Sequence, residues 1–288
     1  MEENFSYGHR ELIDVAMRAS LEAGKVIMEV YGEKGLVVKS KADNSPVTAA
    51  DLRADEAIAG VLGITGLPVL SEEGRDIPFA ERQEWKRLWI VDPLDGTREF
   101  INRNGEFTVN IALVEEGKPV AGVVYAPVSD VLYAGGRGLG AWRTDGASEA
   151  FTSDPYLPEK GTPMPFVHRS GYGIVASRSF RDKRTDNFIR MFAARFGNTR
   201  IVTRGSSLKL CMLAEGEADI YPRFGNISEW DTAAGHAIVL ASGGHVVEAL
   251  RIDRELVYNK EVSCNPWFIA FRDHKLLEGV TDLIPGGD

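Results

Sequence analysis

The chain has 288 residues, of which 44% are hydrophobic and 26% are charged, and its formal net charge is −9. This composition indicates a globular protein with one large domain or two closely packed ones. The acidic balance argues against a general nucleic-acid-binding protein, which needs a basic surface. A small anionic substrate stays open, because bound cations can reverse the sign of the local field.

The N-terminal residues, the absence of a long apolar run and the two cysteines favour a cytoplasmic protein. Residues 1–8 are polar and acidic, so we expect no signal peptide, and no apolar run approaches membrane-spanning length. Cys211 and Cys264 lie far apart and outside any ligand-like spacing, so we expect reduced thiols. Cys211 stands in an apolar helical run and is expected in the core.

In chain order, the first half predicts helices packed on an antiparallel sheet. Apolar residues at helical spacing predict a helix from Arg10 to Tyr31. Thr48, followed by Asp51, has the pattern of a capping box that begins a helix through about Leu62. Residues 74–87 predict a mobile surface segment, and 39–46 a polar loop. Strands are predicted at 36–40, 68–73, 88–91, 107–114, 119–126, 131–135 and 140–143.

The second half predicts alternating strands and helices. Residues 144–172 are rich in Gly, Pro, Ser and charge, which predicts an α+β domain at 1–160 and an α/β domain at 161–288. The predicted strands are 173–177, 200–203, 218–222, 245–248 and 267–271. The predicted helices are 182–196, 206–215, 231–241 and 273–279.

The end of the strand at 88–91 carries the main chemical signal. Asp92 and Asp95 follow it, with the Leu94 carbonyl between them, and Gly96 and Thr97 come next. Asp-Pro-Leu-Asp-Gly is also a good turn sequence, so a plain turn stays open from these residues alone. Two close carboxylates need a cation or a shared proton, and backbone N–H groups at a turn suit an anion. Metal and anion together indicate phosphate chemistry.

Two distant acids share this context and complete a candidate metal site. Glu72 ends a predicted strand, and Asp231 begins a predicted helix. Together with Asp92 and Asp95 they form an oxygen-rich group that suits Mg²⁺, whereas the absence of nearby Cys or His argues against zinc. Two such ions could polarise a phosphoryl group and activate a water molecule.

The sequence resembles the inositol monophosphatase superfamily of metal-dependent, lithium-sensitive phosphomonoesterases. The two signatures are Trp89-Ile-Val-Asp-Pro-Leu-Asp-Gly-Thr-Arg-Glu-Phe and Trp230-Asp-Thr-Ala-Ala-Gly-His-Ala, followed by Ala241-Ser-Gly-Gly. The resemblance is closest to the CysQ-type 3′(2′),5′-bisphosphate nucleotidases, as in Gly205-Ser-Ser-Leu-Lys-Leu-Cys and Tyr221-Pro-Arg-Phe-Gly. It implies a layered αβαβα sandwich of the inositol monophosphatase type.

The resemblance also implies residue roles. Two or three Mg²⁺ ions would be held by Glu72, Asp92, the Leu94 carbonyl, Asp95 and Asp231. Catalytic roles fall to Asp51, Thr97 and Glu72, with Thr97 orienting the attacking water and Asp51 bonded to Thr97. Substrate binding is implied for Glu72, Leu94, Asp95, Gly96, Thr97, Ser206, Lys209, Arg223 and Asp231.

Some alternatives stay open from the residues themselves. Asp51 can be only a helix cap, Lys209 a solvated helix residue and Arg223 a surface ion-pair partner. Phe180 stands where the nucleotidase branch often has His, which leaves substrate preference open between stacking on a base and plain core packing. His236 is five residues beyond Asp231 and is expected to be structural.

The implied activity is hydrolysis of 3′(2′)-phosphoadenosine 5′-phosphate to AMP and phosphate by metal-activated water. An inositol monophosphatase or another sugar-phosphate phosphatase is the alternative, and a nucleotide-binding or metal-sensing protein is a third hypothesis. The resemblance suggests a cytoplasmic enzyme of sulfur metabolism acting on a small phosphorylated nucleotide, with no nucleic acid and no integral membrane segment. It leaves a homodimer and peripheral association with the inner membrane open.

Overall fold

The computed structural model describes residues 7–33, 38–40, 46–153, 161–167, 169–177 and 182–286. The predictions made for 36–37, for 41–45 and for Phe180 lie outside these residues. Among the residues described, no helix is both long and apolar enough to cross a lipid bilayer.

Two helices begin the chain, α1 (His9–Gly32) and α2 (Ala49–Leu62). α1 buries one apolar stripe, as the helical spacing predicts. α2 is capped by Thr48, whose hydroxyl accepts a hydrogen bond from the N–H of Ala50 at 3.1 Å. Both predicted helices are therefore confirmed.

The strands of the first half are β1 (Val38–Ser40), β2 (Pro46–Thr48), β3 (Val69–Ser71), β4 (Arg87–Asp95), β5 (Thr108–Glu115), β6 (Lys118–Ala126), β7 (Val131–Gly136), β8 (Gly140–Asp145) and β9 (Thr162–Pro163). β1 and β2 form a separate antiparallel pair. The strands from β3 to β9 form a seven-stranded sheet in chain order. β3 runs parallel to β4, and each later pair is antiparallel, which confirms the predicted meander.

The second sheet contains β10 (Tyr172–Ser177), β11 (Thr199–Arg204), β12 (Ile220–Arg223), β13 (His245–Glu248), β14 (Arg251–Glu255) and β15 (Phe268–Phe271). Their order is β11-β10-β12-β15-β13-β14. β10 is parallel to both of its neighbours, whereas β15 is antiparallel to its own, so the sheet is mixed. β14 lies in a stretch with no predicted strand.

The later helices are α3 (Phe79–Arg82), α4 (Thr97–Ile101), α5 (Ala147–Ser153), α6 (Lys183–Phe196), α7 (Leu208–Glu215), α8 (Ala233–Ala241) and α9 (Lys275–Glu278). Side chains of α7 and α8 share one core with both sheets, while α6 and α9 pack on the outer face of the second sheet. α8 lies so close to β6 that a Cβ on Gly122 would stand 2.3 Å from the Ala234 carbonyl oxygen. With α1 and α2 on the first sheet, the order helix, sheet, helix, sheet, helix confirms the predicted fold.

The segment 74–87 differs from its prediction. Arg82 at the end of α3 is only 4% exposed. Its guanidinium donates to the Asn259 side chain at 2.9 Å and to the Lys260 carbonyl oxygen at 2.6 Å. The prediction of a mobile surface segment is wrong at this residue, because a buried cation ties the segment to a distant part of the chain.

Two element boundaries also differ. α7 and α8 each begin two residues later than predicted, so Ser206 and Asp231 lie in the turns that precede them. β9 pairs with β8, for example Pro163 with Trp142, so the first sheet ends just beyond residue 160. The division into domains at that residue stays a prediction.

Candidate active site

A bulge in β4 brings its two acids to one side of the first sheet. In a regular strand, residues three apart point to opposite faces. Here Asp92 pairs with Asn110 and Asp95 pairs with Thr108, so three steps along β4 match two steps along β5. Because of the extra residue, the side chains of Asp92 and Asp95 point to the same face of the sheet.

Asp92 is buried and only partly hydrogen-bonded. Its Oδ1 accepts from the N–H of Leu94 at 3.1 Å, and its Oδ2 has no hydrogen-bond partner within the described part of the chain. Burial raises the pKa of Asp92 well above its usual range, and the nearby charges of Glu72 and Asp95 raise it further. A buried carboxylate oxygen that lacks a donor is a place where a cation fits.

Three acids from separate elements converge here. Glu72 follows β3, and its N–H donates to the Val91 carbonyl oxygen at 3.1 Å, which aligns the ends of the two parallel strands. Asp231 comes from the turn before α8. One carboxylate oxygen from each of Glu72, Asp92 and Asp231 lies within 4.8 Å of the other two. All the donors are carboxylates, a set that suits a hard divalent cation.

The negative charges of these carboxylates repel one another. Burial, followed by the charges of Asp95 and Glu72, raises the pKa of Asp231 to about 7. A group of like charges with little solvent is unfavourable when fully ionised, and a cation removes that repulsion. The residues present therefore fit a divalent metal, as the sequence predicts.

Asp95 lies beside the three converging acids, and its Oδ2 is held by protein donors. It accepts from the hydroxyls of Ser206 at 2.7 Å and Ser207 at 2.8 Å, and from the Asn110 side chain at 3.2 Å. Metal binding by Asp95 and by the Leu94 carbonyl remains a prediction.

The hydrogen bonds around Asp95 involve Thr108, Asn110 and Ser207, for which the sequence predicted no role. Thr108 donates to Asn110 at 2.9 Å and lies 2.5 Å from the Ser206 hydroxyl. Ser206 has a φ of 53°, a strained conformation for a residue with a side chain, and its hydroxyl is thereby directed at Asp95. The available signal was two polar residues at alternate positions, Thr108 and Asn110, in an otherwise apolar buried strand.

Asp51 combines both roles that the sequence left open. Its Oδ2 accepts from the N–H of Thr48 at 2.8 Å and from the Thr48 hydroxyl at 2.7 Å, as in a capping box. Its Oδ1 accepts from the hydroxyl of Thr97 at 3.2 Å. Because the Thr97 hydroxyl donates to Asp51, its oxygen is left to accept a hydrogen bond from water.

A cavity of about 240 Å³ is lined by acids of this site, including Glu72, Asp95 and Asp231, and by two cations, Lys209 and Arg223. It is lined by Glu72, Asp95, Gly96, Thr97, Arg98, Glu99, Ser177, Gly205, Ser206, Ser207, Lys209, Leu210, Tyr221, Arg223, Ile227, Asp231 and Thr232. Lys209 is 9% exposed, and its Nζ donates to the Ser206 carbonyl oxygen at 2.5 Å. Burial lowers the pKa of Lys209, and the Asp95 charge opposes that shift. Arg223 donates to the Asn226 carbonyl oxygen at 2.7 Å.

A second cavity of about 620 Å³ adjoins the first and shares Ser177, Tyr221, Arg223 and Asp231 with it. Thr185 and Phe224 are among its other lining residues. The two cavities together offer room for a ligand larger than a phosphate group.

His236 lies away from both cavities, as expected. It is fully buried, and its Nδ1 is 2.9 Å from the Tyr258 hydroxyl. Burial lowers the pKa of His236 to about 3, so the ring is neutral near pH 7. Cys211 is buried in the shared core, also as predicted.

The profile of the inositol monophosphatase family matches residues 9–276. The chain belongs to the inositol monophosphatase family. It is 47% identical over 239 residues to the 3′(2′),5′-bisphosphate nucleotidase CysQ of Escherichia coli, a match that covers 82% of this chain and 89% of that protein. The CysQ of Salmonella typhimurium matches with the same identity and coverage.

A solved structure supports the same placement. The crystal structure of CysQ from Bacteroides thetaiotaomicron superposes with a TM-score of 0.81 at 44% identity, and the match covers 91% of this chain and 97% of that one. The predicted family, fold and closest branch are therefore confirmed.

Proposed function

We propose that this chain is a 3′(2′),5′-bisphosphate nucleotidase that hydrolyses 3′-phosphoadenosine 5′-phosphate to AMP and phosphate. The observation that carries the proposal is a cavity lined both by the carboxylates Glu72, Asp95 and Asp231 and by the cations Lys209 and Arg223. A substrate with two phosphates needs both sides: acids that hold metal for the reacting phosphate and cations for the second one. The similarity to CysQ proteins supports this choice of substrate.

The protein groups have separate tasks in this reaction. Asp51 fixes the Thr97 hydroxyl, and the Thr97 oxygen accepts a hydrogen bond from the attacking water and so orients it. Ser206, Ser207 and Asn110 hold Asp95 in place. Lys209 and Arg223 bind the phosphate that is retained, and Ser206 lines the same cavity beside them. Gly96 has a φ of 90°, and Gly96 and Thr97 both line the cavity, where backbone N–H groups would suit a phosphate.

We propose Mg²⁺ as the metal, held by Glu72, Asp92, Asp95, Asp231 and the Leu94 carbonyl, with two or three ions per site. The bound metal would supply charge neutralisation at the reacting phosphate and a lowered pKa for the attacking water. We also propose a catalytic role for Glu72, which belongs to the same group of acids as Asp92 and Asp231.

Phosphate release from a substrate panel tests the proposal. The purified chain, with Mg²⁺, is assayed on 3′-phosphoadenosine 5′-phosphate, 3′-AMP, inositol 1-phosphate and fructose 1,6-bisphosphate. We expect the highest kcat/KM on the bisphosphate nucleotide and loss of activity in EDTA. Faster turnover of inositol 1-phosphate would instead establish the alternative, an inositol or sugar-phosphate phosphatase. Release of phosphate from none of the four substrates would contradict the proposal.

Further proposals follow from membership of the family. We expect inhibition by lithium, a role in sulfur metabolism and a cytoplasmic location. Size-exclusion chromatography with light scattering tests for a homodimer, and fractionation of cells tests for association with the inner membrane.

A further inference from the structure

Tyr221 carries a buried hydroxyl for which the described part of the protein provides no partner. The residue is 2% exposed, and its oxygen makes no hydrogen bond within that part of the chain. Burial raises the pKa of Tyr221, so the group stays a neutral O–H donor. A buried hydroxyl without a hydrogen bond is unfavourable, so such a group calls for an explanation.

The position of Tyr221 is that of a substrate contact. It lines both cavities of the site. It lies on β12 two residues before Arg223, so the two side chains leave the strand on the same face. Lys209 approaches from α7, with its Nζ 6.0 Å from the centre of the Tyr221 ring. A near-perpendicular contact with Phe268, with ring centres 5.5 Å apart, holds the Tyr221 ring.

We propose that the Tyr221 hydroxyl donates a hydrogen bond to the phosphate that the substrate retains, the one that Lys209 and Arg223 face. This inference rests on the proposed function and adds a specificity residue to it. Two cations and a neutral donor around one cavity match the several acceptor oxygens of a phosphate group. A substrate without a second phosphate leaves the hydroxyl unpaired, so Tyr221 favours bisphosphates over monophosphates.

The variant Tyr221→Phe tests the proposal because it removes one oxygen and leaves the ring. The readout is selectivity, the ratio of kcat/KM for 3′-phosphoadenosine 5′-phosphate to that for 3′-AMP, which differ only in the 5′-phosphate. We expect this ratio to fall by about tenfold or more, mainly through the KM of the bisphosphate. Melting of the ligand-free variant is expected at or above the wild-type temperature, because an unpaired buried hydroxyl has been removed.

Tyr258→Phe is the matched control. Tyr258 is also buried, but its hydroxyl bonds His236 and Thr232 and it does not line either cavity. We expect this variant to lose stability and to keep the wild-type selectivity ratio. A Tyr221→Phe enzyme with unchanged selectivity, or with a ratio that falls no more than that of Tyr258→Phe, overturns the inference while the proposed function stands.

The two proposals fail in different ways. If the wild-type chain does not prefer the bisphosphate over 3′-AMP, the proposed function fails and the role of Tyr221 falls with it. A second measurement isolates binding from turnover: the inhibition constant of AMP, which keeps the 5′-phosphate, should rise about tenfold in Tyr221→Phe. An unchanged AMP constant would also overturn the inference.

Discussion

Replacing Asp92 with Asn should stabilise the metal-free protein while it weakens metal binding. Asp92 is buried, its Oδ2 lacks a donor, and Glu72 and Asp231 each place an oxygen within 4.8 Å. Two unit charges at that distance repel by about 3 kcal/mol at an effective dielectric constant near 20. Protonation relieves part of this repulsion, so we expect a net gain of about 2 kcal/mol at pH 8, or roughly 5 °C in melting temperature.

The stability gained in Asp92→Asn should depend on pH. The pKa values of Asp92 and Asp231 are raised in the folded protein, to about 7 for Asp231. Their contribution to stability is therefore fully present below the unfolded pKa near 4 and is lost as the pH rises through the folded value. The advantage of Asp92→Asn should be large at pH 8 and small at pH 5.

Thermal melting in EDTA at the two pH values measures this, with a second series in Mg²⁺. Metal should raise the melting temperature of the wild-type protein more than that of Asp92→Asn. Asp253→Asn is the control, since Asp253 is an exposed carboxylate on β14 and its neutralisation should change little. A metal-free Asp92→Asn protein that melts below the wild type at pH 8 would show that repulsion among these carboxylates does not destabilise the site.

Three further predictions concern the site and its support. Thr97→Ala should lower kcat by about a hundredfold with little change in melting temperature. Thr48→Ala should lower the free energy of unfolding by about 1 kcal/mol and largely keep kcat. Steady-state assays and thermal melting of both variants measure this. A Thr97→Ala enzyme that keeps the wild-type kcat would mean that Asp51 acts mainly as a cap. Lys209→Ala should raise KM about tenfold more for the bisphosphate than for 3′-AMP, and equal effects would make Lys209 structural. The pKa of His236 is about 3 in the folded protein and near 6.5 in the unfolded chain. The free energy of unfolding therefore decreases as the pH falls below 6.5, by about 2 kcal/mol at pH 5. His236→Gln should flatten this dependence in denaturant titrations at pH 5 and 7.5, and an unchanged slope would contradict it.

Local patterns in the sequence determine most of the elements. Helical spacing over residues 10–31, the capping box at Thr48 and the strand alternation of the first half all correspond to observed elements. These features follow from short-range geometry, so a single sequence contains them. The acids Glu72, Asp92 and Asp231 were also predicted together, because each stands at the end of a strand or the start of a helix.

Burial of charge and of polar groups was decided only by tertiary structure. Nothing near Arg82 in the sequence indicates that its guanidinium is covered by the Asn259–Lys260 segment, since those partners are about 180 residues away. The same holds for Tyr221, whose unbonded hydroxyl is visible only once the cavities are formed.

The candidate metal site shows most clearly which features follow from the local sequence and which follow from the tertiary structure. The order of residues alone places Asp92 and Asp95 at the end of an apolar strand, with Gly and Thr after them. Three residues of spacing place two side chains on opposite faces of a regular strand, and only pairing with β5 reveals the bulge that brings them together. The hydroxyls that then hold Asp95 come from residues 206 and 207, more than a hundred positions away, because the second sheet and its helices pack against the first.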